Sequence, residues 1–253
     1  MLDCFQASSR AGAICPPTVL GIGIGVPGPV DGKGVVNKCV NLGWGVFSIA
    51  EELSKLTGFP VKAGNDANVA TLGELWKGGG KGRRSAVMVT LGTGVGGGVV
   101  VDGRIVAGCN GGAGELGHIT VEPAETVPCA CGKYGCLEQY ASANGIVRLA
   151  KRMLAESGTP SALRARETFT SKDICDLAQQ GEEMAAEIVD RFGEYLGRAL
   201  SYVSCVVDPD VYIVGGGMSR AGSIITDVML KYYRKYAFHV STGTSIALAE
   251  LGN

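Results

Sequence analysis

Segments with the pattern of buried β-strands alternate with amphipathic helical segments along the whole chain, and this alternation limits the possible folds more than any other feature. The clearest strands are residues 19–26, 86–90 and 211–214, and the clearest helices are residues 182–206 and 221–236. Such alternation is typical of an α/β protein. Glycine contributes 40 of the 253 residues, roughly twice its usual share, which indicates many tight turns or close backbone approaches. The sequence therefore predicts the α/β fold class.

The charge balance and the apolar pattern exclude several classes of protein. Lys and Arg total 23 against 24 for Asp and Glu, without a basic block, so the electrostatic basis for binding nucleic acid or an acidic membrane is missing. Residues 87–101 form the longest apolar stretch, but glycines interrupt it and it is shorter than the roughly 20 residues that span a bilayer. Residues 1–20 do not read as a secretory signal. We expect a cytoplasmic protein with neither nucleic acid nor membrane as a partner.

Three of the nine cysteines lie close together, and a histidine precedes the first of them by eleven positions. In a reducing compartment this crowding indicates metal ligation before disulfides. One imidazole and three thiolates complete the tetrahedral set of zinc and leave no place for a catalytic water. The sequence thus predicts a structural Zn²⁺ site that would hold Glu115 on one side and Glu138 on the other; the alternative is three unligated core cysteines. The candidate ligands are His118, Cys129, Cys131 and Cys136.

Two glycine-rich turns are candidates for binding a phosphate-bearing ligand. Residues 91–98, between two predicted strands, offer bare backbone N–H groups and a hydroxyl, although their spacing matches neither the Walker loop nor the Rossmann fingerprint. Residues 214–219 lie between a strand and a helix, where a nucleotide can approach the backbone closely. For each turn, tight packing alone is an equally good explanation. The presence of two such turns favours the ligand.

Asn65 and Asp66 stand where a predicted strand meets a helix. They could simply cap the helix N-terminus. A carboxylate at that position could also accept a proton from a bound hydroxyl, which is the role that phosphoryl transfer to an alcohol requires. Glu115 and His118, three residues apart, form a second polar group that could face one side.

Taken together, these residues resemble the ROK family of bacterial sugar kinases and transcriptional repressors, and within it the glucokinase branch. The resemblance covers residues 18–253, and the cysteine motif is its most specific part. Five motifs in order carry it, namely Gly-Ile-Gly-Val-Pro-Gly-Pro-Val-Asp at 23–31, Asn-Asp-Ala-Asn at 65–68, the glycine-rich signature at 91–118, Cys-x-Cys-Gly-x-x-Gly-Cys-x-Glu at 129–138 and Gly-Gly-Gly at 215–217.

The resemblance implies a two-lobed actin-like ATPase fold, related to ribonuclease H, with the sugar in the cleft between the lobes. Residues 1–84 would be the remnant of a small N-terminal α/β lobe that carries the catalytic aspartate. Residues 85–253 would form a larger C-terminal lobe with the phosphate loop, the zinc loop and the adenosine-side turn. The implied ligands are a hexose, ATP with Mg²⁺ and a structural Zn²⁺, and the implied assembly is a homodimer.

The resemblance also assigns a role to each candidate site residue. Asp66 resembles the general base that deprotonates the 6-hydroxyl of the sugar before it attacks the γ-phosphate. The positions that match the hydroxyl-binding residues of the family are Asn65, Asp66, Glu115, His118 and Glu138. The positions that match the phosphate loop and the adenosine-side turn are Gly92, Thr93, Gly94, Gly215, Gly216 and Gly217.

The sequence departs from the family pattern at both ends, and at the second end it stops at residues 251–253, where the family continues into a final helix rich in glycine and alanine. Kinases of the family open with an Asp-x-Gly-x-Thr motif that forms a first phosphate loop, and residues 1–17 do not contain it. We therefore expect an incomplete N-terminal lobe. Two functions follow as hypotheses. One is ATP-dependent phosphorylation of glucose at the 6-hydroxyl. The other is a non-catalytic hexose-binding remnant or a regulatory ROK protein.

Overall fold

A computed structural model describes residues 19–39 and 42–252. The chain folds into two compact units. The first takes in the described residues up to Ala70 together with Val106–Ala113, and the second comprises Thr71–Ile105 and the described residues from Gly114 onward. The predicted lobe boundary after residue 84 stays a prediction. The opening segment, on which the expectation of an incomplete lobe partly rests, lies outside the described residues.

The first unit contains two small sheets. In one, strand β1 (Ile22–Val26) runs parallel to β4 (Val61–Asn65), with Val26 opposite Asn65. In the other, β2 (Val35–Cys39) pairs antiparallel with β3 (Trp44–Ser48). Strand β4 is parallel to β1 and carries Asn65 at its carboxyl end. Ligands commonly bind at the carboxyl ends of parallel strands.

Two helices follow the strands of this unit closely. Helix α1 (Ile49–Thr57) begins after Ser48, whose hydroxyl accepts from the Glu51 N–H, and ends at Gly58 in the left-handed region. Helix α2 (Asp66–Lys77) begins immediately after β4. The strand-to-helix junction predicted from the sequence is thus confirmed at Asn65 and Asp66.

The second unit is built on a five-stranded sheet whose order is β7-β6-β5-β8-β9. Strand β5 pairs antiparallel with β6 and parallel with β8. The five strands are β5 (Ala86–Leu91), β6 (Val95–Val101), β7 (Arg104–Ile105), β8 (Val211–Gly215) and β9 (Ser245–Leu248). Every residue of β8 is buried, as expected for a central strand covered on both faces.

Helices supply most of the core of this unit. They are α3 (Glu138–Ala141), α4 (Ala143–Glu156), α5 (Ser171–Gln179), α6 (Glu183–Val207) and α7 (Ser223–Tyr236). The predicted apolar stripe of α6 is buried, for example at Ile188 and Phe192. Gly193 lets α7 approach α6, because a Cβ there would lie 2.6 Å from the Val228 side chain. The α/β prediction is confirmed.

Two local predictions are wrong. The sequence predicts Ser171 as the cap of a helix over residues 172–180. Ser171 is instead the first residue of α5 and Thr170 caps it, because Thr170 and Asp173 form a reciprocal capping box. Gly96 and Gly97, predicted to lie in the turn between two strands, belong to β6. Within the part of the chain that the structure describes, none of the helices combines the length and hydropathy needed to cross a membrane.

Candidate functional site

Two glycine turns meet at the carboxyl ends of neighbouring strands in the second unit. Residues 92–94 follow β5. Gly215 is the last residue of β8, which is parallel to β5, and residues 216–217 follow it. At Gly216, φ is +83° and a Cβ would lie 2.5 Å from the Leu91 carbonyl oxygen, so only glycine fits there. The two turns predicted to bind nucleotide therefore lie side by side. Open α/β sheets bind their ligands at this end of the strands.

The turn after β5 is shorter than the sequence indicated. The Gly92 N–H donates to the Gly94 carbonyl over 3.0 Å, and the Gly92 carbonyl accepts from the Ala143 N–H at the start of α4 over 2.8 Å. Thr93 is exposed at its tip. Gly97, by contrast, lies within β6, where a Cβ would come within 2.5 Å of the Gly114 carbonyl oxygen. The packing explanation is therefore correct for Gly97, and the candidate phosphate loop is limited to residues 92–94.

A cavity of about 320 Å³ lies beside the second turn. One wall is the short 3-10 helix Gly217–Ala221 and another is helix α5. The Gln179 amide donates to the Ala221 carbonyl over 3.1 Å and joins these walls. Sequence reasoning missed the lining residues on α5, such as Lys172 and Asp176, because they form an ordinary ion pair one helical turn apart.

The histidine and the three cysteines that were predicted as metal ligands come together in the second unit. One potential ligand atom from each lies within 4.8 Å of all the others. The Sγ atoms of Cys131 and Cys136 are 3.6 Å apart, and Cys129 Sγ is 4.0 Å from His118 Nδ1. Tetrahedral zinc with bonds of about 2.3 Å to sulfur places its sulfur ligands about 3.8 Å apart. The donor set and its spacing therefore fit zinc.

The surrounding loop explains how the cysteines converge. The Cys129 N–H donates to the Lys133 carbonyl over 2.7 Å, and the Gly132 N–H donates back to the Cys129 carbonyl over 2.9 Å. Gly132 adopts φ +86°, so the chain can reverse between the second and third cysteine. Burial, reinforced by the hydrogen bond to Glu138, raises the pKa of Cys129 to about 12. A metal ion that binds here must therefore displace the thiol proton.

Glu115 and Glu138 lie on opposite sides of the His118 ring. His118 Nε2 is 4.0 Å from Glu115 Oε2, and His118 Nδ1 is 3.8 Å from Glu138 Oε1. The Nδ1 side of the imidazole thus faces the cysteine loop, whereas the Nε2 side faces Glu115. Glu138 also accepts from the Cys129 thiol over 2.9 Å.

The carboxylate of Glu138 reaches the candidate phosphate loop. A Cβ on Gly94 would lie 2.8 Å from Glu138 Oε2. Only a residue without a side chain leaves this carboxylate in place beside the loop. The candidate hydroxyl acceptor Glu138 and the candidate phosphate loop are therefore neighbours within one unit.

Asn65 and Asp66 form a separate hydrogen-bonded group in the first unit. Asp66 Oδ1 accepts from the Ala67 N–H over 2.8 Å and from the Asn65 amide over 3.1 Å. The Asn65 amide also donates to the Gly28 carbonyl, and its oxygen accepts from the Asn68 N–H. The capping interpretation is correct for Asn65, while Asp66 remains exposed and can accept a further proton or hydrogen bond.

Comparison with known sequences points to one family. The sequence pattern of the ROK family matches residues 15–253. The chain is 40% identical over 240 residues to the glucokinase of Halalkalibacterium halodurans, and this alignment covers 93% of the chain and 73% of that protein.

Two solved structures resemble the chain over 99% of its length. One is a ROK family glucokinase from Streptomyces griseus in complex with glucose and AMPPNP, with 33% identity, a TM-score of 0.77 and 83% of that chain covered. The other is a ROK family transcriptional regulator homologous to the E. coli MLC protein, with 30% identity, a TM-score of 0.85 and 63% of that chain covered. The actin-like fold class expected from the motifs is confirmed.

Proposed function

The chain belongs to the ROK family, and we propose that it is a sugar kinase that transfers the γ-phosphate of ATP to the 6-hydroxyl of glucose. The observation that carries this proposal is the position of the Glu138 carboxylate beside Gly94, where an added Cβ would lie 2.8 Å from Oε2. A kinase must hold a phosphate and a hydroxyl group next to each other in water-excluding surroundings. The glucokinases among its relatives support the choice of glucose and ATP.

Asp66 is the general base in this mechanism. Its carboxylate accepts the proton of the glucose 6-hydroxyl as the oxygen attacks the γ-phosphorus, and ADP leaves on the opposite side. The Asn65 amide donates to Asp66 Oδ1 and to the Gly28 carbonyl, so it holds the base in one orientation. Little covalent chemistry is required of the protein, and most of the rate enhancement comes from positioning and charge stabilisation.

The sugar is recognised by groups that pair with its hydroxyls. Glu115 and Glu138 accept hydrogen bonds, and His118 Nε2 offers a further polar contact. A sugar that lacks one of these hydroxyls would leave a polar group unpaired, which is a strong basis for rejection. The cysteine loop would hold Zn²⁺ through Cys129, Cys131, Cys136 and His118, and the ion would supply structural order and fix the imidazole.

The nucleotide binds at the ends of β5 and β8. The backbone of residues 92–94 and the Thr93 hydroxyl bind the phosphates, with Mg²⁺ accompanying ATP. Residues 215–217 and the cavity beside them receive the nucleoside, because Gly217 has open space where a side chain would be. The exposed Thr93 between two glycines suits an anionic ligand.

A coupled assay of glucose 6-phosphate formation tests this function. Wild type with ATP, Mg²⁺ and glucose should turn over, and Asp66→Asn should lose about 10²- to 10⁴-fold in kcat, which is the usual contribution of general base catalysis. Glu52→Gln removes an exposed carboxylate of the same unit and should retain full activity. Equal background rates in wild type and Asp66→Asn, or glucose binding without turnover in wild type, would contradict the proposal.

We place the enzyme in the cytoplasm, because that compartment supplies ATP and keeps the thiols of a metal site reduced. We also propose that it forms a homodimer, as is common in the ROK family. Analytical ultracentrifugation of the zinc-loaded protein checks this, and a single species at the mass of one chain, 26.0 kDa, would contradict it.

A further inference from the structure

Glu125 forms an unusual buried carboxylate beside the cysteine loop. Its side chain is only 6% exposed and lies 2.6 Å from Arg148 Nη2. Glu125 Oε1 accepts from the backbone N–H groups of Thr126 and Val127 over 3.0 and 2.9 Å. The Tyr140 hydroxyl donates to Oε2. Both carboxylate oxygens thus accept hydrogen bonds. Two of the donors belong to helices, Tyr140 to α3 and Arg148 to α4.

Gln139, which follows Glu138 in the chain, completes a ring of hydrogen bonds that includes the Glu125 carboxylate. Its Oε1 accepts from the Cys136 N–H over 3.0 Å, and its Nε2 donates to the Val127 carbonyl over 2.9 Å. Its backbone carbonyl accepts from Arg148 Nη1 over 3.5 Å. The ring therefore runs from Glu125 through Val127, Gln139 and Arg148 back to Glu125.

The ring stabilises helix α3, which is too short to keep its position alone. Helix α3 comprises only four residues, Glu138–Ala141, which is far below the length at which a helix is stable alone. Its first residue is the carboxylate proposed to bind the sugar. Three of its four residues, Glu138, Gln139 and Tyr140, are tied by hydrogen bonds to the loop, to α4 or to the cap residue Ser142.

The charge of Glu125 is essential to the ring. Burial alone would raise its pKa, but the hydrogen bonds from Tyr140, Val127 and Arg148 outweigh burial and hold the pKa at about 2. Charge-assisted hydrogen bonds are shorter and about twice as strong as neutral ones. The packing of Tyr140 has independent support, because its ring lies 4.3 Å from that of Tyr195, centroid to centroid. We therefore expect loss of the Glu125 charge to disturb the position of α3 more than the stability of the fold.

We propose that Glu125 is a positioning residue for the sugar: through Tyr140, Gln139 and Arg148 it fixes the orientation of the Glu138 carboxylate, without itself touching sugar, nucleotide or metal. This inference rests on the proposed hexose kinase function. It predicts that Glu125 controls glucose binding selectively, because the ring and the Tyr140 hydrogen bond hold the two residues that follow Glu138 in α3.

The test compares Glu125→Gln with a matched control. Glu194 also accepts from a tyrosine and an arginine, the Tyr236 hydroxyl at 2.7 Å and Arg191 Nη1 at 2.8 Å, but it lies on α6. In zinc-loaded protein, Glu125→Gln should raise the KM for glucose about 5- to 50-fold, with the KM for ATP within about 2-fold and the zinc content unchanged. Glu194→Gln should leave all three values unchanged. Tyr140→Phe, a milder change, should give an intermediate KM for glucose.

Two results would overturn the inference. One is an unchanged KM for glucose in both Glu125→Gln and Tyr140→Phe, with both variants folded. The other is a rise in the KM for ATP that parallels the rise in the KM for glucose. Calorimetric titration of glucose without ATP separates this inference from the proposed function. If wild type binds glucose but makes no product, the kinase proposal fails, while weaker glucose binding by Glu125→Gln still supports the positioning role. If wild type binds no glucose, both fail.

Discussion

Replacing Gly94 by alanine tests the contact on which the proposed function depends. The backbone of Gly94 lies outside the left-handed region, so alanine is tolerated there without backbone strain. Its methyl carbon would lie 2.8 Å from Glu138 Oε2, whereas ordinary carbon–oxygen contacts are about 3.3 Å or longer. The carboxylate must therefore move by about half an ångström.

The expected loss of activity follows from the displacement of the Glu138 carboxylate. A misplacement of about 1 Å can cost about 100-fold in rate, so half of that distance should lower kcat/KM for glucose about 10-fold, or about 1.4 kcal/mol. The free energy of unfolding should change by less than about 1 kcal/mol, because the end of a glutamate side chain can rotate away and alanine restricts the unfolded chain.

The assay is steady-state phosphorylation of glucose by Gly94→Ala beside Gly243→Ala. Gly243 lies in the same unit, and a Cβ there meets nothing within 4 Å, so it should match wild type in both kcat/KM and thermal stability. Unchanged kcat/KM in Gly94→Ala would show that the Glu138 carboxylate does not act beside the loop. A large loss of stability would show that the contact serves the fold instead.

Three further predictions concern the metal, the nucleotide and pH. Cys131→Ser should lose zinc, measured by elemental analysis, and lower the Tm; zinc-free wild type would contradict the metal site. Gly216→Ala should cost about 1–3 kcal/mol or raise the KM for ATP, because its φ is +83° and the Leu91 carbonyl is too close; wild-type values in both would contradict the turn's role. The pKa of Glu125 is lowered from 4.5 to about 2, so its stabilisation is complete above about pH 4.5 and is lost as pH falls towards 2. The difference in Tm between wild type and Glu125→Gln should therefore shrink over that range, and a constant difference would refute the ionised role.

Local patterns predicted much of the fold because the physics that sets them is local. The apolar stripe of α6 and the strand-to-helix junction at Asp66 follow from residue spacing alone. The cysteines and His118 were recognisable because zinc demands a fixed set of donor types. The cap of α5 was misplaced by one residue, since Thr170 and Ser171 are equally good caps by type and only the side chain of Asp173 decides between them.

Other features depend on contacts that no local pattern shows. Gly96 and Gly97 were predicted to lie in a turn, yet they belong to β6, and Gly97 is a glycine because a Cβ there would lie 2.5 Å from the Gly114 carbonyl oxygen. The ring through Glu125 and Arg148 joins residues 23 positions apart, and a lone glutamate in a polar loop gives no sequence signal of such a partner. Close approaches and long-range polar networks of this kind arise only from tertiary packing.

A rapid-quench experiment with isotopically labelled γ-phosphate tests the central account most directly. Zinc-loaded enzyme is mixed with labelled ATP, Mg²⁺ and glucose, and the position of the label on the sugar is read by mass spectrometry and NMR. The account predicts one label per turnover on the oxygen at carbon 6 in wild type, and almost none on the same time scale in Asp66→Asn. Label on another hydroxyl, or equal labelling by both proteins, would contradict it.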